Sequence, residues 1–225
     1  MRRNVEVKAR LRARAAAAAR LGGGGGHGHG HGHGHGHGHG RVLVQADTFF
    51  RVPRGRLKLR RSPDGRGELI FYERPDTAGP KLSCFSVTPT DDPDGLEAVL
   101  AQALGVLGVV RKERLLYLVG QTRVHLDRVE GLGDFLELEV VLTAEQTAGD
   151  GERVARQLMG QLGVEEGDLI SGAYLDLLLA KGLAGSPTPR LGTPAHCPGG
   201  DSTGSSGDGA TPPPDGCCPL PFAAQ

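Results

Sequence analysis

Short stretches in which apolar and charged residues alternate recur along this chain. The first is Asn4-Val5-Glu6-Val7-Lys8, where a strand places Glu6 and Lys8 on one side and the two valines on the other. A buried Glu beside a buried Lys is costly in an ordinary core, but it suits a lumen that holds a polyanion together with its divalent cation. The pattern predicts a strand with one charged face and one apolar face.

Three further strands are predicted in succession. Arg56-Leu57-Lys58-Leu59-Arg60 alternates cations with leucines. The segment 61–67 is rich in turn-forming residues and separates this strand from a hairpin partner at 69–74. A second turn at 75–80 leads into another strand that starts at Lys81.

The next part of the chain predicts a helix at about 94–107 and then three more strands. Lys112 and Arg114 lead into the apolar run 115–119, and Gly120 marks a turn. In the following strand, Asp127 shares a face with Arg123 and His125. In the last strand, two glutamates share a face with an aromatic residue, and these are Glu137, Glu139 and Phe135.

Together these strands predict an inward-facing set of charged side chains. Alternation by itself is equally typical of a half-exposed sheet with one solvated face. The segregation of long basic side chains over several strands, with carboxylates on the first and last, favours a ligand of high negative charge instead. The predicted set is Lys8, Lys58, Arg60, Arg74, Lys81, Lys112, Arg114 and Arg123, with Glu6, Asp127, Glu137 and Glu139.

The order and spacing of these motifs resemble the CYTH family, also called triphosphate tunnel metalloenzymes. This family includes class IV adenylyl cyclases, thiamine triphosphatases and inorganic tripolyphosphatases. Residues 4–8 are similar to its N-terminal Glu-x-Glu-x-Lys signature, 56–60 to its phosphate-binding strand, 112–114 to its later basic pair, and 127–139 to the stretch with metal-binding carboxylates. The resemblance covers about residues 3–183 and is strongest towards the branch that contains the class IV cyclases.

The resemblance implies an α+β fold, in which an eight-stranded antiparallel closed barrel with flanking helices encloses a triphosphate. It implies a metal-dependent enzyme that either hydrolyses an organic triphosphate or tripolyphosphate, or cyclises a nucleotide. The implied cofactor is Mg²⁺ or Mn²⁺, and the implied ligand is ATP, thiamine triphosphate or tripolyphosphate. The implied roles are catalytic for Lys8 and Asp127, metal-binding for Glu6, Glu137 and Glu139, and phosphate-binding for Lys58, Arg60, Arg74, Lys81, Lys112, Arg114 and Arg123.

Two positions leave alternatives open. Asn4 replaces the first glutamate of the signature, and its neutral oxygen offers a metal no charge. This favours, as the alternative function, a polyphosphate- or nucleotide-binding module with weak or no turnover. His125 lies beside the predicted carboxylates, where it ligates a metal, donates to phosphate or packs in the lumen wall.

The composition of the chain argues against nucleic-acid binding and against a place in a membrane. The 225 residues include 26 basic and 26 acidic side chains, so no overall charge favours nucleic acid or membrane. Three tyrosines, six phenylalanines and no tryptophan are a poor basis for stacking nucleobases. No apolar stretch approaches membrane-spanning length, and the early Glu6 argues against a transit peptide despite the nearby arginines and alanines. We expect a cytoplasmic protein with reduced thiols.

Low-complexity segments interrupt and follow the predicted domain at 1–183. A helix is predicted at 9–21, and the insert 22–40 then contains Gly-separated histidines but no side chains that form a core. Metal capture by these histidines is one interpretation, and an expanded repeat without a function is the other. The tail 184–225 is rich in Gly, Ser, Pro and Thr. Both segments are predicted to be disordered.

Overall fold

The computed structural model describes residues 2–22 and 40–184, which form a β-barrel flanked by helices. The strands are β1 (Arg2–Arg10), β2 (Arg41–Phe50), β3 (Arg56–Arg61), β4 (Gly67–Glu73), β5 (Lys81–Thr90), β6 (Val106–Val119), β7 (Thr122–Val129) and β8 (Gly133–Val141). The helices are α1 (Arg14–Gly22), α2 (Pro93–Leu104), α3 (Ala148–Leu162) and α4 (Tyr174–Ala180), with a short 3₁₀ turn at Glu166–Asp168.

The barrel closes because β1 pairs with both β5 and β8. The order around the barrel is β1-β5-β4-β3-β2-β6-β7-β8, and every neighbouring pair is antiparallel. The predicted succession of β3, β4 and β5 is present as two hairpins. The predicted eight-stranded antiparallel closed barrel is therefore confirmed.

The apolar faces of β1, β7 and β8 point outwards and pack beneath helices. Val5, Leu136 and Leu138 are fully or almost fully buried in a cluster that includes Leu158 of α3. Gly151 allows α3 to approach closely, because a Cβ there would lie 2.6 Å from a methyl carbon of Val5. Since the helices cover the outer apolar face, the alternating charged positions point into the lumen.

The N-terminal helix is shorter than the sequence predicts. Ala9 belongs to β1 and pairs with Leu136, and α1 begins only at Arg14. Helix propensity favours alanine and arginine, but the ladder with β8 continues as far as Arg10 and fixes these residues as strand. The helix predicted at 94–107 likewise ends earlier, at Leu104, where Gly105 adopts a positive φ of 74°.

A second apolar cluster closes one end of the barrel. It combines Phe49 and Phe135 from the strands with Tyr174, Leu175 and Leu178 of α4. The rings of Phe135 and Tyr174 lie 4.9 Å apart between centroids. α4 therefore covers the end of the lumen where β7 ends and β8 begins.

Among the helices of the described ranges, none combines the length and apolar character needed to cross a membrane. The predicted disorder and metal capture of the Gly/His-rich insert concern residues 23–39 for the most part, and the predicted tail begins at 184. Residues 23–39 and 185–225 lie outside the described residues.

Candidate functional site

The lumen is a cavity of about 380 Å³ to which all eight strands and α4 contribute. This volume is within the usual range of small-molecule sites. The cavity lining contains the whole predicted inward set except Lys81 and Asp127. The alternation in the sequence therefore located the lumen correctly.

Three cations from neighbouring strands converge on one carboxylate, Asp47 of β2. Lys58 Nζ donates to Asp47 Oδ2 at 2.9 Å, and Lys112 Nζ donates to the same oxygen at 3.0 Å. Arg60 donates from Nε and Nη2 to the two carboxylate oxygens at 2.8 and 3.0 Å. Lys58, Arg60 and Lys112 are termed the cation triad below.

The cation triad leaves a surplus of positive charge on this wall of the lumen. Within the described ranges, Asp47 is the sole carboxylate that forms an ion pair with any of its members. Burial alone would raise the pKa of Asp47, but Arg60, Lys112 and Lys58 outweigh it and hold that pKa well below its usual value. Burial lowers the pKa of Lys112 to about 7, with Arg114 and Arg60 adding to the effect and Asp47 opposing it. An anion that enters the lumen finds its counter-charges here.

The facing wall, formed by β1, β8 and β7, carries most of the carboxylates. In the register of the ladders, Glu6 lies opposite Glu139, and Glu137 lies opposite both Lys8 and His125. Ligand atoms of His125, Glu137 and Glu139 all lie within 4.8 Å of one another. The lumen therefore has a cationic wall and a carboxylate wall on opposite strands of the barrel.

The cluster of His125, Glu137 and Glu139 fits a divalent cation. The His125 ring is buried, and neither of its nitrogens has a hydrogen-bond partner. Burial, assisted by Arg114, lowers the pKa of His125 to about 4, so the imidazole is neutral and a nitrogen lone pair is available at neutral pH. Two carboxylates beside a neutral imidazole form a suitable donor set for a divalent metal ion.

Glu6, the third predicted metal ligand, lies next to this cluster but is held by Arg74. Its Oε1 is 2.8 Å from Arg74 Nε. Burial raises the pKa of Glu6, Lys8 opposes the shift, and the nearby Glu137 and Glu139 add to it. A bound cation would relieve this repulsion between carboxylates, which is a second reason why the wall suits a metal.

The predicted catalytic residues lie near the closed end of the lumen. Lys8 Nζ is 2.7 Å from Glu137 Oε1 and 4.2 Å from the centre of the Tyr174 ring. Asp127 is completely buried and binds Arg114 through both oxygens at 2.6 Å. The Tyr174 hydroxyl donates to Asp127 at 2.9 Å. Asp127 thus orients Arg114, which also reaches Glu137.

Two of the predicted phosphate ligands are bound to backbone carbonyls near this closed end. Arg74 Nη1 donates to the Ser171 oxygen at 2.9 Å, and Lys81 Nζ donates to the oxygens of Ser171 and Thr77 at 2.8 and 2.5 Å. These hydrogen bonds connect the segment before α4 to the residue that follows β4 and to the first residue of β5. A phosphate-binding role for Arg74 and Lys81 stays a prediction.

The opposite end of the lumen has a different character. Leu43, Leu116, Phe85 and Val87 line it, and all four are half-buried. Arg123 lies at this end with a side chain that is 44% exposed and with Nη1 3.6 Å from Glu139. Arg2, which is exposed and lies opposite Phe85 in the ladder, lines the same end. This end therefore combines apolar surface with accessible cations.

Asp47 and Tyr174 are functional-site residues that the sequence patterns did not predict. Asp47 lies in Val44-Gln45-Ala46-Asp47-Thr48, where Gln45 and Asp47 alternate with small or apolar residues. That alternation is consistent with a strand that points Asp47 into the lumen. A single acidic residue without a neighbouring charge is weak evidence for a binding site, however. Tyr174 opens a short helix, and no periodicity indicates that its hydroxyl reaches Asp127.

The fold and the site together define a class of protein, namely a closed antiparallel barrel whose lumen has a cationic wall and a wall rich in carboxylates. The CYTH domain model matches residues 2–174. The chain therefore belongs to the CYTH family, as the order of its sequence motifs predicted.

Individual proteins are similar to this chain in sequence or in fold. Adenylate cyclase CyaB of Aeromonas hydrophila is 28% identical over 142 residues, which are 59% of this chain and 71% of that protein. A solved structure from Pyrococcus horikoshii aligns with a TM-score of 0.64 at 24% identity, covering 77% of this chain and 98% of that one. A Pyrococcus furiosus structure also gives 0.64, at 20% identity, with coverage of 77% and 99%. The two structures support the fold.

Proposed function

We propose that the protein is a metal-dependent enzyme that acts on a triphosphate. The observation that carries this proposal is the arrangement of the lumen, where the surplus charge of the cation triad faces a cluster of His125, Glu137 and Glu139. A chain of three phosphates with its divalent cation has the charges that match both walls. Phosphoryl transfer depends mainly on positioning and on stabilising charge, which such walls supply.

The lumen side chains have different proposed roles, which follow from where each one lies. The cation triad binds the phosphate oxygens and offsets their charge. His125, Glu137 and Glu139 would hold Mg²⁺ or Mn²⁺, which when bound acts as a Lewis acid on the phosphate oxygens. Arg114, fixed by Asp127, contributes a rigid guanidinium between the two walls. Lys8, held against Glu137, keeps that carboxylate ionised and oriented.

The apolar end favours an organic triphosphate over inorganic tripolyphosphate. Leu43, Phe85, Val87 and Leu116 offer surface to an apolar group that extends from the phosphate chain. The relative from Aeromonas hydrophila is named an adenylate cyclase. Attack of a ribose hydroxyl on the α-phosphate gives a cyclic nucleotide and pyrophosphate, and attack of water on the terminal phosphate gives phosphate. The same lumen serves either reaction.

A binding module without turnover is the second candidate, and Asn4 is the observation that favours it. Asn4 lines the lumen, and its Oδ1 is buried without a hydrogen-bond partner. A neutral oxygen at this position contributes less to holding a metal than a carboxylate would.

Product analysis separates the two candidates. Purified protein is incubated with ATP, thiamine triphosphate and tripolyphosphate, each with Mg²⁺, with Mn²⁺ and with EDTA. Release of phosphate or pyrophosphate that requires the metal supports the enzyme, and binding without product supports the module. Arg60→Ala should abolish both binding and turnover, whereas Arg128→Ala, which removes an exposed arginine paired with Asp134, is the matched control.

A further inference from the structure

Asp47 is a buried lumen carboxylate that has no part in the proposed metal site. Its side chain is 1% exposed, and Oδ2 alone accepts hydrogen bonds from all three members of the cation triad. β2 lies between β3, which carries Lys58 and Arg60, and β6, which carries Lys112. Asp47 therefore joins cations from both neighbouring strands at one atom.

Convergence on one oxygen forces the cations close together. Each donor nitrogen is 2.9–3.0 Å from Asp47 Oδ2, so any two of them are no more than about 6 Å apart. Without the carboxylate, three like charges would repel one another in a buried site. They would respond either by moving apart or, for the two lysines, by losing a proton.

The surroundings of Lys112 show which response to expect. Burial lowers the pKa of Lys58 and of Lys112, and at Lys112 the negative charge of Asp47 opposes this shift most strongly. A neutral lysine still donates a hydrogen bond but no longer offsets phosphate charge. The charged or titratable groups that act on Lys112 are Asp47 from β2, Lys58 and Arg60 from β3, Arg114 from β6, Asp127 from β7, Glu137 from β8 and Tyr174 from α4.

We propose that Asp47 is a positioning residue, an internal counter-anion that holds the cation triad together and favours its charged form before the phosphate chain arrives. This inference rests on the proposed function, because it concerns how that ligand is received. Asp47 acts through Lys58, Arg60 and Lys112 and makes no contact with the reacting atoms. It also explains how three cations share so small a volume in the free protein.

The test compares wild type with Asp47→Asn, which keeps the shape of the side chain and removes its charge. Binding of tripolyphosphate is measured by calorimetry in EDTA from pH 5.5 to 8.5. The matched control is Asp134→Asn, because Asp134 pairs with the exposed Arg128 and does not line the lumen. We expect the pH at which affinity is half lost to move towards acid by about one unit or more in Asp47→Asn. The affinity at pH 8 should fall at least about tenfold, and Asp134→Asn should follow the wild-type profile.

Other outcomes overturn the inference. A loss of affinity by the same factor at every pH would make Asp47 a structural residue, and a gain at every pH would make it a competitor of phosphate. If Asp47→Asn does not fold, Lys112→Met in the intact protein decides, because it should flatten the wild-type pH profile between 6 and 8. An unchanged profile in Lys112→Met refutes the inference. Failure of wild type to bind ATP, thiamine triphosphate and tripolyphosphate at any pH, with or without Mg²⁺, refutes the proposed function as well. Binding of tripolyphosphate by wild type with an unshifted pH profile in Asp47→Asn refutes this inference alone.

Discussion

At the residue scale, the lumen of the ligand-free protein carries positive charge that its own carboxylates only partly offset. Burial brings the pKa of Lys112 to about 7 and that of Lys81 to about 8, so these ammonium groups titrate in the physiological range. A phosphate chain placed beside Lys112 would favour its charged form. Ligand binding and proton binding should therefore be coupled.

We predict that tripolyphosphate binding at pH 8 takes up protons at Lys112. The free side chain is mostly neutral above its pKa of about 7, and the bound anion raises that pKa. Calorimetry in buffers of different ionisation enthalpy measures the uptake. Lys112→Met is the control that cancels the ligand's own ionisation: wild type should take up more protons than this variant at pH 8 and about the same number at pH 5.5. Equal uptake at pH 8 would contradict the prediction.

Glu137→Gln should separate metal-dependent turnover from phosphate binding. The amide keeps the side-chain shape but removes a charge from the metal cluster and from the pairs with Lys8 and Arg114. We expect turnover to fall on the order of 100-fold and unfolding free energy to fall by about 2 kcal/mol. Metal-free tripolyphosphate affinity should stay equal or rise. Product release across a Mg²⁺ titration and a urea melt measure these effects, and a variant with wild-type turnover would remove Glu137 from the site.

Asn4→Glu tests the opposite change in the same wall. Asn4 precedes Glu6 on the lumen face of β1, and its oxygen is buried without a partner. A carboxylate there adds the charge that the family signature has, so turnover at low Mg²⁺ should rise by roughly tenfold. If wild type and Asn4→Glu both bind triphosphate and neither forms product, the binding-module alternative replaces the enzyme.

Alternation of charge predicted which side chains face the lumen, but it did not predict how they are paired. Glu6, Lys8, Glu137 and Glu139 were placed correctly from period-two patterns alone. Asp47 was missed because its importance comes from Lys58 and Lys112, which lie on two other strands. Strand register decides such partnerships, and a single sequence gives no register.

At the element scale, α4 closes the lumen and anchors its charged end. Tyr174 packs its ring on Phe135 and donates its hydroxyl to Asp127, which in turn binds Arg114. The family resemblance extends to about residue 183 and so includes this helix, yet no periodicity in a helix of seven residues reveals a buried hydroxyl. The strand that replaces the predicted start of α1 has a similar cause, since pairing with β8 overrides helix propensity.

Tyr174→Phe should destabilise the protein while preserving the shape of the closed end. The variant keeps the ring contact with Phe135 but removes one hydrogen bond to a buried, charged carboxylate. We expect a loss of about 1–2 kcal/mol in unfolding free energy and a tripolyphosphate affinity within about threefold of wild type. Tyr117→Phe, a change on the half-buried outer side of β6, is the control for thermal melts. Identical melting temperatures of Tyr174→Phe and wild type would show that the hydroxyl contributes nothing.

At the scale of the whole molecule, the barrel is built with its apolar side outwards and its charged side inwards. The helices α1 and α3 make this possible because they bury the outer faces of β1, β7 and β8. The lumen and the larger apolar cluster therefore lie on the two sides of the same strands, whereas the smaller cluster around Phe49, Phe135 and Tyr174 closes one end of the lumen. Segments attached to the outer layer can change without altering the lumen.

The insert between α1 and β2 offers the last prediction. Deleting residues 23–39 and joining Gly22 to Gly40 through a short polar loop should leave melting temperature and tripolyphosphate affinity nearly unchanged. The deleted glycines and histidines supply no apolar side chains to the core, and the free energy of closing a loop changes by only about 0.6 kcal/mol per doubling of length. Gly40 is retained because a Cβ there would lie 2.6 Å from the Tyr117 ring. Removing residues 187–225 is the parallel deletion, and Ni²⁺ affinity should fall only when 23–39 are removed. A folded deletion variant that no longer binds tripolyphosphate in calorimetry would give these segments a part in the site.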